Sequence, residues 1–133
     1  MTDNDIPMLL EWMQDMNWPG TSTITRFIKN KGTATLEPVR SALKVGDSIW
    51  NYWLLNKLGD AFDVTYWKSL LPELQHISSL ADDESAHIEA LIILARYSLL
   101  PRNDIDNLAR MAKSASRVSP QDYSRLDELL ANS

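Results

Sequence analysis

The chain contains no cysteine, only four glycines and no long apolar run. Without cysteine it has no disulfides, thiolate metal sites or cysteine nucleophiles, a composition compatible with a reducing compartment. So few glycines leave no phosphate-binding loop, and neither a Walker motif nor a G-x-S-x-G elbow is present. The longest apolar run, residues 90–95, is far shorter than the roughly 18 residues that a membrane span requires. We therefore expect a cytoplasmic protein without a membrane segment, a catalytic motif or a cofactor.

Charge is distributed in alternating blocks along the 133 residues, whose net charge is −5. Residues 1–25 carry four acids and no base, and residues 47–95 carry eight acids and two bases. Residues 26–46 and 96–125 are basic instead. Binding to nucleic acid depends on neutralising phosphates with Lys and Arg, so the acidic total argues against that class of ligand. The two acidic blocks favour a basic protein partner.

Helical periodicity runs through the chain. In the first segment, apolar residues recur three or four positions apart, as on one face of a helix: Ile6, Leu9, Leu10, Met13 and Met16. This spacing predicts a helix over about residues 5–16, with Pro7 tolerated in its first turn. The Asn-Trp-Pro string at 17–19 then predicts a turn, and a second helix ends near Gly32.

The same plan of two helices and a turn is repeated further along. Helices are predicted from Leu36 to Gly46, and from Ile49 to Leu58 after a cap at Asp47 or Ser48. A third pair covers residues 66–80, around Pro72, and residues 85–100, which are apolar on all sides and should form a buried central helix. Two shorter amphipathic helices follow, around residues 105–112 and 123–130.

Proline positions support a repeat. Pro7, Pro38 and Pro72 are 31 and 34 residues apart, and such a period is typical of stacked helical hairpins. We therefore predict one all-α domain over residues 1–133. It should be a short right-handed stack of antiparallel helical hairpins, a HEAT-like solenoid, with about seven or eight helices. An irregular helical bundle, in which the prolines align by accident, is the alternative.

Two tryptophan-rich strings resemble a bacterial domain family of unknown function whose members look like short HEAT-type repeats. The strings are LLEWMQDMNWP at residues 9–19, of the form LLxWxQDxNWP, and WNYWLL at residues 50–55. The resemblance covers roughly residues 6–60. That family usually has charged residues just ahead of its second motif, where this chain has Asp47, Ser48 and Ile49. The resemblance implies a fold and carries no catalytic residues over to this chain.

Each of the two histidines lies three residues after a glutamate, as Glu73 with His76 and Glu84 with His87. Pairs of this type hold two metal ions in some helical bundles, together with two further inward-facing glutamates. No such context is evident around Glu11, Glu37, Glu89 or Glu128. The favoured interpretation is that Glu73 and Glu84 lie in first helical turns, where negative charge suits the dipole, with the histidines on polar or half-buried faces. We expect no metal ligands.

Five tryptophans are many for so small a protein. Helical spacing places Trp50 and Trp53 on the core side of their helix, whereas Tyr52 should face away from both. Trp12 lies on the flank of its apolar stripe. Exposed aromatic residues beside acids are favourable anchors for protein recognition, because Trp and Tyr are enriched among binding hot spots.

These features favour a non-enzymatic, protein-binding helical domain. Its most specific form is an immunity protein, an antitoxin that masks the basic surface of a bacterial toxin domain. We expect this domain to be a nuclease, because nucleases present basic surfaces to phosphates. The residues expected to bind the partner are two tyrosines and six acids: Asp47, Tyr52, Asp60, Asp63, Tyr66, Asp82, Asp83 and Glu84. Membrane and nucleic-acid partners are not expected.

Three alternatives are left open. One is a helical-repeat adaptor or scaffold with a cellular protein partner. Another is a metal-dependent helical-bundle enzyme that uses His76 and His87. The last is an RNA binder whose basic face includes Lys29, Lys31 or Arg40, which would require binding that weakens steeply with salt.

Overall fold

The structure is a computed structural model, and it describes residues 3–14, 20–80, 85–115 and 120–132. Within these ranges the regular elements are helices, and no β-strand is present. The α-helices are α1 (Ile6–Glu11), α2 (Thr21–Lys31), α3 (Leu36–Val45), α4 (Ser48–Leu58), α5 (Val64–Ser69), α6 (Leu71–Ser78), α7 (Ala86–Arg96), α8 (Arg102–Ala115) and α9 (Ser124–Ala131). Short 3-10 turns cover Asp3–Asp5, Trp12–Gln14, Gly32–Thr35 and Pro120–Tyr123. The predicted all-α class is confirmed.

A single residue, Leu70, separates α5 from α6, so these two helices form one rod with a break. Pro72 explains the break, because it has no N–H to donate to the carbonyl of Lys68. Counted as rods, the described residues form eight helices, in agreement with the predicted seven or eight. The rod starts at Val64, two residues earlier than predicted, since the Asp63 side chain accepts a hydrogen bond from the Tyr66 N–H at 3.0 Å.

Helix boundaries near Gly46 follow the sequence prediction. Gly46 has a φ of 84°, the left-handed conformation that ends a helix at little cost for glycine. The carboxylate of Asp47 then accepts a hydrogen bond from the Trp50 N–H at 3.0 Å and caps α4. This Gly-Asp pair produces a sharp turn between α3 and α4.

Two predicted helices are shorter than their apolar patterns. The first was expected over residues 5–16, but its α-helical part is Ile6–Glu11, between two 3-10 turns. One turn of either helix type places the same side chains inward, so the apolar spacing could not separate them. The buried helix α7 ends at Arg96, before Pro101, and Ser98 takes a φ of 51° while the Leu99 N–H returns to the Leu94 carbonyl at 2.9 Å.

Packing arranges the helices in two rows. In the first row α1 packs on α3 and α3 packs on α6; in the second row α2 packs on α4, α4 on α7 and α7 on α9. Within the pairs, α1 contacts α2, α3 contacts α4, and α6 contacts α7. Each unit thus contacts the next, which is the pattern expected of stacked hairpins.

Helix α7 lies at the centre of the core, as predicted. All residues from Ala86 to Leu94 are buried, because α4, α6, α8 and α9 surround them. None of the helices among the described residues has the length and apolarity to cross a membrane.

Candidate functional site

The predicted partner-binding acids that the structure describes lie at both ends of α4. Asp47 is at the start of α4, whereas Asp60 and Asp63 follow its end. Since α4 has 11 residues, its two ends are roughly 16 Å apart at 1.5 Å per residue. Asp47 and Asp63 both cap helices, and the Asp60 carboxylate lies 3.9 Å from Lys29 Nζ. Asp82, Asp83 and Glu84 lie outside the described residues.

The two predicted tyrosine anchors differ in burial, since Tyr66 is buried and Tyr52 is half-buried. Tyr66 is only 4% exposed, and its hydroxyl lies 2.9 Å from the Thr35 hydroxyl while Phe62 stacks on its ring. Burial raises the pKa of Tyr66 to about 12, against a smaller lowering by the Thr35 hydrogen bond. Tyr52 is half-buried and, contrary to expectation, packs edge-on against Trp53 with ring centroids 5.1 Å apart. The anchor prediction therefore does not fit Tyr66, which belongs to the core.

An apolar groove with a volume of about 460 Å³ lies between α1 and α3, in the first row. We call it the α1–α3 groove, and it is lined by Pro7, Leu10, Glu11, Glu37, Pro38, Ser41, Ala42, Val45 and Trp50. The repeat-related prolines Pro7 and Pro38 are thus brought to the same place, one from each helix. A concave, mainly apolar surface of this volume is typical of a binding site.

The floor of the α1–α3 groove is held rigidly. Leu10, Ala42 and Trp50 are buried beneath it. The Trp50 indole Nε1–H donates a hydrogen bond to the Leu10 carbonyl at 2.7 Å, which joins α4 to α1. Because Trp50 is fixed by this bond and by the cap of α4, the apolar floor is preorganised for a ligand.

The rim of the groove combines carboxylates with exposed apolar side chains. Glu11 and Glu37 are exposed on opposite walls, one from α1 and one from α3. Val45 is 67% exposed at the end of α3, and Trp12, next to Glu11 in the chain, is 55% exposed. Large exposed apolar groups beside a concavity, with acids around them, are characteristic of a protein-binding surface.

The next junction of the same row is closed instead of open. Between α3 and α6, which we call the α3–α6 seam, Arg40 Nε lies 3.3 Å from Glu73 Oε1, and Arg40 Nη2 donates to the Ser69 carbonyl at 2.8 Å. Arg40 also pairs with Glu37. The Glu73 side chain is almost fully buried, and its Oε2 has no hydrogen-bond partner within the part of the chain that the structure describes. Arg40 is therefore needed to compensate a buried carboxylate.

The two histidines of the Glu-x-x-His pairs lie in different environments. Glu73 contacts Arg40, and His76 is exposed on α6. His87 is fully buried, contrary to the expected half-buried position, with its Nε2 3.0 Å from the Tyr123 hydroxyl. Glu84 is outside the described residues, and among those that the structure describes no group of three or more His, Asp or Glu is placed to hold a metal ion.

Glu89 is an inward-facing carboxylate that the sequence pattern missed. It accepts hydrogen bonds from Asn56 at 3.1 Å and from Arg125 at 2.8 Å, so it links α7 to α4 and α9. The pKa of Tyr52 is raised, mainly by burial and to a smaller extent by the nearby Glu89 carboxylate. These contacts give Glu89 a role in holding α9 on α7.

Sequence reasoning also missed the groove residues Glu11, Glu37 and Val45. The proline repeat signalled only the place, because Pro7 and Pro38 both line the groove, whereas Glu11 and Glu37 are not equivalent positions of the repeat. Which junctions stay open depends on the side chains that meet there, and this requires the three-dimensional arrangement.

Comparison with known proteins gives a family and no function. No curated protein and no solved structure matches the chain. The profile of a domain of unknown function, DUF5071, matches residues 2–99, from the start of the chain through α7, and leaves α8 and α9 outside. The α1–α3 groove and the α3–α6 seam both lie inside the match. The chain therefore belongs to the DUF5071 family.

Proposed function

We propose that this chain is a non-enzymatic protein-binding domain that receives a segment of a basic protein in the α1–α3 groove. The observation that supports it is the groove itself, with a buried apolar floor at Leu10, Ala42 and Trp50. Its walls carry the exposed carboxylates of Glu11 and of Glu37, which also pairs with Arg40. An apolar anchor would fill the floor, and flanking Lys or Arg residues would meet Glu11 and Glu37.

Charge supports a basic occupant. Glu11 and Glu37 face the groove in a chain of net charge −5, and Asp47 follows two residues after Val45 at one end of it. Asp60 and Asp63 are beyond the other end of α4, so a partner in the groove would approach Asp47. Acidic rims of this kind speed association with basic proteins by electrostatic steering.

The more specific form of this proposal is that the chain is an immunity protein for a toxin with nuclease activity. Such a domain must expose a basic surface to its nucleic-acid substrate, and an acidic groove with an apolar floor can cover that surface. A short HEAT-type stack of hairpins would suit the task, because stacked repeats present extended binding surfaces. The cytoplasm is the compartment in which an antitoxin of this kind would act.

Identification of the partner is the first experiment. A tagged copy is purified from its native cell, and the co-purifying protein is identified and produced separately. The immunity proposal expects a nuclease domain whose cleavage stops when one equivalent of this chain is added. Recovery of a cellular protein without nuclease activity would instead favour the adaptor function, and a purified partner that binds with unaltered nuclease activity would exclude immunity.

Matched variants then locate the binding surface. Val45→Arg places a cation in the groove, and we expect the affinity for the basic partner to fall by about tenfold or more. Val64→Arg is the control, since Val64 is also an exposed valine but lies at the start of α5. Equal effects of the two variants would exclude the groove as the docking site.

A second pair tests the charge complementarity. Glu11→Lys reverses a rim charge, and Glu128→Lys makes the same change of net charge on exposed α9. We expect Glu11→Lys to slow association about tenfold at low salt and less at high salt, whereas Glu128→Lys has a small effect. If both variants slow association equally, only the overall charge matters.

A further inference from the structure

A second concavity, of about 480 Å³, lies between α2 and α4, in the other row of helices. We call it the α2–α4 cleft. Its lining is polar and rich in cations and includes Thr21, Ser22, Arg26, Lys29, Asn56 and Lys57. The α1–α3 groove has acids around an apolar floor, so the two concavities differ in both polarity and charge.

The cations of the cleft contribute little to the fold. Arg26 is exposed and makes no ion pair or hydrogen bond with any residue that the structure describes. Lys29 Nζ lies 3.9 Å from Asp60 Oδ1, with both side chains substantially exposed, and pairs of this kind contribute little to stability. Lys57 lies over the Trp53 ring, 5.7 Å from its centroid. Three cations against one carboxylate leave an excess of two positive charges in a chain of net charge −5.

Neutral donors line the same cleft. Thr21 and Ser22 form the first turn of α2, and the preceding Gly20 has no side chain with which to cap the free N–H groups of that turn. The N-terminus of an α-helix carries a partial positive charge, and its N–H groups favour anions. The first two residues of α2, both with hydroxyl groups, therefore line the same concavity as the three cations.

We infer that the α2–α4 cleft is a binding site for a phosphate-bearing small molecule. A phosphate monoester carries a charge near −2 and three acceptor oxygens, which matches the excess charge of the cleft and its several donors. The volume of the cleft is suited to a small ligand. This inference is independent of the function proposed for the α1–α3 groove.

The test uses the full chain and three probes at constant ionic strength: inorganic phosphate, pyrophosphate and adenosine monophosphate. Amide NMR shifts are followed during each titration. We expect saturable binding, with the largest shifts at the amides of Thr21 and Ser22. Tighter binding of adenosine monophosphate than of phosphate would assign the site to phosphoesters, and tighter binding of pyrophosphate would assign it to diphosphates. The absence of saturation with all three probes would overturn the inference.

A double variant, Arg26→Gln with Lys57→Gln, removes two cations of the cleft and should weaken binding about tenfold or more. The control, Lys31→Gln with Lys68→Gln, makes the same change of net charge at residues that do not line the cleft, and it should retain affinity within about twofold. Equal losses in both variants would mean nonspecific attraction and would overturn the inference. So would preferential binding of single-stranded RNA that weakens equally in both variants.

Discussion

The α1–α3 groove and the α3–α6 seam are equivalent junctions of one helix row, yet one is open and the other is closed. At the seam the Arg40 guanidinium reaches across to Glu73 and to the Ser69 carbonyl. At the groove α1 also packs on α3, but its lining includes two prolines, Ser41 and Ala42, whose short side chains leave a concavity of about 460 Å³. A repeated helix plan therefore does not fix where a binding surface forms, because one long side chain can fill the space between two helices.

Breaking the seam should have the largest effect. Arg40→Met leaves the buried Glu73 carboxylate uncompensated, and we expect a loss of about 2 to 3 kcal/mol in the free energy of unfolding. Urea unfolding measures it. The double variant Arg40→Met with Glu73→Met should recover most of the loss, since no buried charge remains. Lys44→Met, an exposed change on the same helix, should stay within about 0.5 kcal/mol of the parent.

The Thr35–Tyr66 hydrogen bond is a second contact between the segments on either side of the seam, because Thr35 precedes α3 and Tyr66 belongs to α5. Tyr66→Phe removes the hydroxyl and leaves the buried Thr35 hydroxyl with one partner fewer. We expect a loss of about 1 kcal/mol at neutral pH, measured by urea unfolding. An unchanged free energy of unfolding would mean that the Thr35–Tyr66 hydrogen bond makes no net contribution to stability.

The same variant has a defined pH dependence. The pKa of Tyr66 is about 12 in the folded chain and 10.0 in the reference state, so the folded chain keeps a proton that the unfolded chain releases between these values. The stabilisation from neutral Tyr66 is complete below pH 10 and decreases as pH rises toward 12. The parent should therefore lose more stability than Tyr66→Phe across this window, and parallel pH profiles would contradict the prediction.

Loosening the floor of the open groove should reduce the free energy of unfolding by a similar amount. Trp50→Phe keeps an aromatic ring but removes the hydrogen bond to the Leu10 carbonyl, for an expected loss of about 1 kcal/mol. Hydrogen exchange of the α1 amides should accelerate, because α1 loses a connection to α4. Unchanged exchange in α1 would show that packing alone holds the floor.

Closing the groove should have the smallest effect on stability. Ser41→Arg on α3 places a guanidinium opposite Glu11 of α1, as Arg40 stands opposite Glu73 at the seam. An exposed ion pair of this kind should change stability by less than about 0.5 kcal/mol. Affinity for the groove-bound partner should nevertheless fall about tenfold or more, measured by calorimetry. Undiminished affinity would place docking elsewhere.

Much of the fold was predictable because local rules govern it. Gly46 and Asp47 mark a helix end and a helix start through the φ of one residue and one cap, and the even apolarity of α7 predicts its burial. The break at Leu70 was less evident, although Pro72 lies beside it. The bounds of α1 could not be predicted, because one turn of α- or 3-10 helix shows the same apolar spacing.

The candidate site was much less predictable. An acidic residue in a sequence shows where a charge is, but it does not show where the side chain lies in the fold. Asp47 and Asp60 were predicted for the same binding surface, and they lie at opposite ends of α4. Tyr66 was predicted as a partner-binding anchor and His87 on a polar or half-buried face, but each is buried with a hydrogen-bond partner, Thr35 and Tyr123 respectively. Burial of such groups depends on partners that lie 31 and 36 residues away in the chain.

By itself the sequence determined the helical class, most helix ends and the spacing of the repeat, because caps, prolines and apolar periodicity act within a few residues. Tertiary structure alone decided that Arg40 closes one junction, that Glu11 and Glu37 stand across an open groove, and that Arg26, Lys29 and Lys57 share a cleft. The physical reason is that a binding surface depends on which side chains come into contact across packed helices. These contacts are between residues that are far apart in the chain.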